Sequence, residues 1–344
     1  MLATILKGGS TLVAAMLFAG SVSAGWEEVP VQTEGSGDFT SIDFVDDSLG
    51  FAMRAKGFDW ELYRTQDGGD TWTVLASGEE DADSSRGVAE VDFFSATNGW
   101  MWFGSAFDGP LLRTTDGGVT WTPVETPLST AFGPEVVAAH FFDDNTGIIA
   151  GDGRDADNAR IILARTDDAG ATWQPVYTPS RFDAVGIDFR DSLVGGVTGG
   201  AGSVLTTVDG GMTWSAPNTN ISETWGIIHY SRTTSQAWVG GELGSLMQSD
   251  DSGQTFLSAS PRTTGRFDQL YHAPDGTLYV SGEVGPSGLF YVVDPERGRW
   301  FLDNVVTFTS QGIRYPNTVL AIVEKPDGTL YAGGRRMMRL ANST

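Results

Sequence analysis

The chain has 344 residues, with 21 basic residues against 44 acidic ones and no cysteine. A formal net charge of −23 repels nucleic acid and anionic membranes; it favours a cation or a basic partner, and equally fits an ordinary solvated acidic surface. Without cysteine there are no disulfides, thiolate metal sites, cysteine nucleophiles or cysteine-linked lipids, so a large core must hold the fold, and about 320 residues suffice to bury one.

Residues 1–24 read as a signal peptide. Lys7 supplies a short positive region, residues 11–20 are an apolar run, and Val22-Ser23-Ala24 fits a small-residue cleavage site. The run is too short to span a bilayer, and no other segment approaches the ~20 apolar residues of a spanning helix. A leader retained as an anchor is the alternative. Cleavage after Ala24 removes one lysine and no acid, leaving 20 basic residues against 44 acidic, a net −24. The expectation is a periplasmic or secreted protein whose residues 25–344 form a single domain.

Residues 25–32 (Gly-Trp-Glu-Glu-Val-Pro-Val-Gln) look like a strand with no repeat in front of it. Beyond this strand the chain is repetitive. The octet Ser/Thr-x-Asp-x-Gly-x-Thr-Trp/Phe occurs at 65–72, 114–121, 166–173, 207–214 and 249–256. Its aspartates, Asp67, Asp116, Asp168, Asp209 and Asp251, are 49, 52, 41 and 42 residues apart. A period of this size marks one supersecondary unit repeated. The octet has the chemistry of a tight hairpin turn: an aspartate that accepts N–H bonds from residues just ahead, a glycine for a conformation side chains disfavour, and a ring that starts the next strand. Each role is structural, so the five aspartates are read as structural too.

The first hairpin of each unit also recurs. Phe44, Phe93, Phe141, Phe189 and Tyr230 stand near the end of a strand, and Gly50, Gly99, Gly147 and Gly195 follow the first four by six residues. In the last two units the turns are Pro274-Asp275-Gly276 and Pro326-Asp327-Gly328. The spacing predicts blades at 39–77, 87–125, 135–178, 182–217, 225–259 and 266–304. A seventh covers 318–340 but has only three strands. The lone N-terminal strand supplies its fourth and closes the ring, leaving no sheet edge open. The predicted fold is an all-β, seven-bladed propeller with four-stranded blades.

The octet is similar to the Asp-box, or BNR, repeat of sialidase-type β-propellers. The surrounding repeat resembles the photosystem II stability and assembly factor-like family, through Ile42-Asp43-Phe44, Gly50-Phe51 and 64–72, and through Val91-Asp92-Phe93, Gly99-Trp100 and 113–121. The resemblance spans nearly the whole mature chain, although the last two blades lack the octet. It implies that function sits on the face opposite the octets, where the loops between second and third strands and between blades emerge. It also implies a role in assembling or stabilising an envelope or membrane complex.

Three features mark candidate sites. Asp38, Glu135 and Asp183 each precede the aligned aromatic by six residues, with Glu90 and Glu223 nearby, an arrangement suited to a cation or a basic peptide and equally to ordinary loop acids. Long loops in blades 1 to 3 carry Phe58, Asp59 and Trp60, then Phe107 and Asp108, then Asp152 and Asp155. Aromatics edged by carboxylates suit a protein or carbohydrate partner, unless the rings fold back onto their own blades. The loop at 152–158 lacks EF-hand spacing, so no metal or cofactor is assigned. Asp43, Asp92, His140, Asp188, His229, Tyr271 and Val323 form a column one residue before the aligned aromatic, and hydrogen bonds between blades are its expected use.

Enzyme signatures are thin: there is no G-x-S-x-G, no H-E-x-x-H and no phosphate-binding glycine loop. The reading is an exported, monomeric, non-catalytic propeller that binds a protein partner, basic or membrane-embedded. An extracellular glycosidase of the sialidase-like superfamily is the alternative.

Overall fold

The computed structural model describes residues 26–31, 37–56, 59–79, 88–104, 110–130, 133–134, 136–154, 160–176, 184–217, 225–259, 264–284, 287–294, 299–302, 306–308, 314–316 and 319–340. The expected signal peptide at 1–24 lies outside them. The chain folds as a seven-bladed β-propeller of antiparallel sheets, each blade a meander in chain order. The inner strands are Asp38–Phe44, Val88–Phe93, Val136–Phe141, Ala184–Phe189, Trp225–Tyr230, Arg266–His272 and Val319–Glu324. The inner strand of blade 7 packs against that of blade 1, so the blades close a ring.

The N-terminal strand Trp26–Glu28 completes blade 7, pairing antiparallel with Met338–Leu340. Val29, just beyond it, is buried, and its N–H donates to the Met337 carbonyl at 2.9 Å. The Trp26 ring stands edge-on to Phe290 at 5.7 Å. Closure thus joins the first and last residues of the ring by backbone bonds and by packing, as the missing fourth strand required. Blade 4 is the exception to four full strands. Its outermost strand is reduced to one bridge, Thr206 with Ser215. Two short hairpins outside the blades, Ser129–Thr130 with Gly133–Pro134 and Val306–Phe308 with Arg314–Pro316, have no counterpart in the sequence reading.

The repeated aromatic and glycine are one packing unit. A Cβ at Gly50, Gly99, Gly147 or Gly195 would lie 2.2–2.7 Å from the ring of Phe44, Phe93, Phe141 or Phe189, so only glycine lets the ring lie flat on the second strand. The next residue then reaches the neighbouring blade. Phe51 stacks on Phe93 at 3.5 Å and Trp100 on Phe141 at 4.3 Å. Blade-to-blade cohesion is therefore aromatic and buried between blades 1, 2 and 3, each such side chain being worth roughly 1.5–3 kcal/mol, while Ile148 takes the same place between blades 3 and 4.

All five octets form the same turn. In the second, Asp116 Oδ1 accepts the Thr114 hydroxyl at 2.9 Å and the Thr120 N–H at 2.9 Å, while Oδ2 accepts the Thr120 hydroxyl at 2.6 Å. The Thr114 hydroxyl in turn accepts the Gly118 N–H. Gly118 has φ of 86°, and the residue before it is left-handed as well, at Gly117, Ala169 or Ser252 alike. The sequence pattern marked only the fifth position for this conformation. Each octet also leans on the first hairpin of its own blade, through a bond such as Gly117 N–H to the Thr97 carbonyl. Both carboxylate oxygens thus accept bonds from the turn they hold.

Candidate functional site: the axial channel

The inner strands surround a cavity of about 830 Å³. Glu90, Arg266 and Asp268 line it toward the long-loop face, and Arg232, Pro274 and Lys325 toward the octet face. The column residues lie along this axis and tie successive blades together. Asp43 accepts the Phe93 N–H at 2.7 Å, Asp188 the Tyr230 N–H at 2.7 Å, and His229 Nε2 the His272 N–H at 3.0 Å. Asp92 accepts from Phe141 in the same way. The inner strands are too far apart to share a ladder, so side chains satisfy the N–H groups that face the next blade.

The channel has two electrostatic halves. In blades 3 to 5, Arg232 grips Asp188 with two prongs, Nη2 to Oδ1 at 2.7 Å and Nη1 to Oδ2 at 3.1 Å. Burial by itself would raise the Asp188 pKa, but Arg232 and then His229 outweigh it and hold the carboxyl at about 2. His229 accepts at Nε2, so its proton sits on Nδ1, which faces Asp188 Oδ2 at 3.4 Å. Burial pushes His229 and His140 down to about 4 despite that carboxylate, so both are neutral at pH 7. Blades 1 and 2 carry acids with no such clamp. Burial lifts Asp43 to about 6 against two backbone N–H bonds, and lifts Glu90 to about 7. Asp92 goes well above its usual range through burial and then the charges of Asp43 and Glu90.

In the other blades two further groups of the channel have side-chain partners. Tyr271 donates its hydroxyl to Glu324 Oε2 in a short bond, and burial with that carboxylate pushes the phenol up, away from ionisation. Arg266 holds Asp268 at 2.6 Å, at the opposite end of the inner strands from Arg232. Each of the two guanidinium groups is thus held by a carboxylate of its own. Among the described residues, no three histidine, aspartate or glutamate side chains group to hold a metal ion.

No family profile and no curated protein sequence matches the chain. Solved structures do. YCF48 bound to a D1 peptide superposes with a TM-score of 0.66 at 18% identity, covering 93% of this chain and 96% of that one. YCF48 from Cyanidioschyzon merolae gives 0.61 at 18%, covering 92% and 98%. The GH74 xyloglucanase from Xanthomonas campestris gives 0.62 at 16%, covering 90% of this chain and 52% of its own. At these identities the likeness establishes the propeller fold.

Of the residues singled out from sequence, Asp38 is exposed at the start of the blade 1 inner strand. Asp59 is exposed at the start of the third strand, paired in register with Lys56 and Glu79. Trp60 is half-buried. A Cβ at Gly78 on the adjacent strand would lie 2.6 Å from its indole, and the ring packs beside the core between blades 1 and 2. Asp152 belongs to the strand Gly147–Arg154, with its side chain outside the description. Phe58, Phe107, Asp108, Glu135, Asp155 and Asp183 lie outside the described residues. The sequence reading missed Arg232 and the Tyr271–Glu324 pair. One signal for Arg232 was visible: Ala237 follows Tyr230 by seven positions, where in the first four blades the glycine follows the aromatic by six, and Arg232 lies in that longer hairpin.

Proposed function

We propose that this chain is an exported, non-catalytic Asp-box propeller that binds a protein partner and acts as an assembly or stability factor for an envelope or membrane complex. The observation that carries the reading is the end-to-end correspondence with YCF48, a propeller of matching extent that has been seen with a D1 peptide bound. The closed internal pairings of the channel support it: Asp188 with Arg232, Asp268 with Arg266, and Tyr271 with Glu324. Groups held by one another in this way stabilise the ring, whereas Glu90 has no such partner. The working surface in this reading is the long-loop face of blades 1 to 3, where Asp59 and Trp60 begin the third strand of blade 1; the loop residues Phe58, Phe107 and Asp108 are assigned to it from the sequence. Carboxylates beside aromatics select a basic partner.

A glycosidase is the second reading. The GH74 likeness favours it, as does Glu90, an acid held at about 7 on the channel wall. A carboxyl of that pKa suits a general acid, but a glycosidase needs a second carboxylate across the scissile bond.

The test is affinity capture from envelope extract, identification of the partner, and titration of the purified pair. Trp60→Ala combined with Phe107→Ala should weaken binding at least ~10-fold, about 1.4 kcal/mol, measured at a temperature where the variant is fully folded, since the loss of Trp60 packing lowers the melting temperature as well. Unchanged affinity in the double variant overturns the assigned face. Hydrolysis of xyloglucan or sialosides that Glu90→Gln abolishes overturns the non-catalytic reading.

A further inference from the structure

The repeat supplies its own control for what a surface position must be. In blades 1 to 5 a first-hairpin carbonyl accepts the N–H of the octet's fourth residue, at 2.8–2.9 Å, and Leu193 plays that part in blade 4. The bond uses backbone atoms only, so the hairpin side chain and those at octet positions two and six are free to vary. Blade 1 places Ser48, Gln66 and Asp70 there. Blade 4 places Leu193, Val208 and Met212, which are 55%, 62% and 66% exposed. Seven large apolar side chains are exposed among the described residues, and three of them meet here; Val119 in blade 2 stands alone at its turn. Gly210 lies between Val208 and Met212 and bonds to Leu193, so the three share one patch. The fold does not need them, because the same turn forms in blade 1 with polar groups. Contiguous exposed apolar surface marks an interaction site.

The charges around the patch say what covers it. The two nearby arginines are engaged: Arg165 with the Gly210 carbonyl and Asp167, and Arg190 with Asp191 and Ser252. Each of these arginines is offset by its own aspartate, Asp167 or Asp191, whereas Asp209 and, on the adjacent octet of blade 5, Asp250 and Asp251 form no ion pair among the described residues, so the surrounding rim has a net negative charge. A second copy of this chain would bring the same rim and a net −23, and an anionic bilayer would be repelled likewise. We propose that the octet face of blade 4 is a second docking surface, opposite the long loops, for an amphipathic protein segment with two or three apolar side chains flanked by lysine or arginine. Apolar contact would give affinity and the acidic rim would select the sign of the partner.

The probe is a fluorescent amphipathic peptide of leucine and lysine, titrated by anisotropy into the mature chain at physiological ionic strength. The control is the triple variant Leu193→Ser, Val208→Thr, Met212→Gln, which takes residue types found at these positions in other blades and keeps the net charge. Saturable binding that weakens at least ~10-fold in the variant, and persists in Trp60→Ala, supports the proposal and keeps it separate from the long-loop reading. Equal binding by wild type and variant overturns it, since attraction would then be net charge alone. So does the absence of binding, equal affinity for the leucine–glutamate counterpart, binding to neutral phosphatidylcholine vesicles in place of the peptide, or a wild-type dimer in sedimentation that the variant dissolves.

Discussion

Replacing Glu90 by glutamine should make the protein more stable at neutral pH. Glu90 sits on the inner strand of blade 2, opposite Trp102 in register, and faces the channel. Burial lifts its pKa from an ordinary 4.5 to about 7. Between those values the folded glutamate holds a proton that the unfolded chain has released. Stability therefore falls as the pH rises from 4.5 to 7 and stays low above it. At 1.36 kcal/mol per pH unit the gap is worth about 3 kcal/mol. Asp43, lifted from 3.8 to about 6, adds a slope of the same sign. Asp188 acts oppositely: its stabilisation is present above 3.8 and is lost as the pH falls toward 2. Urea unfolding followed by tryptophan fluorescence at about pH 5 and about pH 8 lies above the Asp188 window and reads the two raised acids. Glu90→Gln should match wild type at the lower pH and exceed it by ~2–3 kcal/mol at the higher. A variant with the wild-type pH dependence, or one less stable at about pH 8, would refute the argument that burial raises this carboxyl.

Deleting residues 25–32 should destabilise the ring by at least ~3 kcal/mol, from the burial of Val29 and the Trp26–Phe290 contact. A truncated protein melting within about a degree of the mature chain would sink the closure argument. Asp116→Ala should lower the melting temperature by freeing the Val119 and Thr120 N–H groups while leaving partner binding untouched; lost binding in an equally stable variant would give the octet a direct role. Arg232→Ala should cost ~2 kcal/mol, below the usual figure for a buried pair because half of the arginine side chain is exposed. Adding Asp188→Asn should recover most of that loss, and simple additivity in the double-mutant cycle would show that the clamp is not a coupled pair.

The stable part of this protein is local, and local features are written in sequence. An octet spans eight residues, and its hydrogen bonds run between positions one, three, five and seven. Its spacing therefore revealed the turn, the blade count and even the closure, since a three-stranded last blade demands a partner strand and Trp26–Glu28 had none nearby. The column Asp43, Asp92, Asp188 and His229 was legible for the same reason. A residue repeated at one place in every blade points at the same neighbour each time.

What departs from the repeat was settled only in three dimensions. Arg232 reaches Asp188 across 44 residues of chain, Tyr271 reaches Glu324 across 53, and no spacing rule predicts either, because each depends on which blades the ring sets side by side. The contrast between Asp188 at about 2 and Glu90 at about 7 has the same origin. Both are acids on inner strands, and what separates them is whether the fold brings a guanidinium within reach. The apolar patch of Leu193, Val208 and Met212 is the intermediate case: its residues stood in view in the sequence, but only exposure distinguished three surface side chains from three more core positions. Burial and long-range charge are properties of the closed ring, and the sequence alone carries them only where the repeat makes every blade alike.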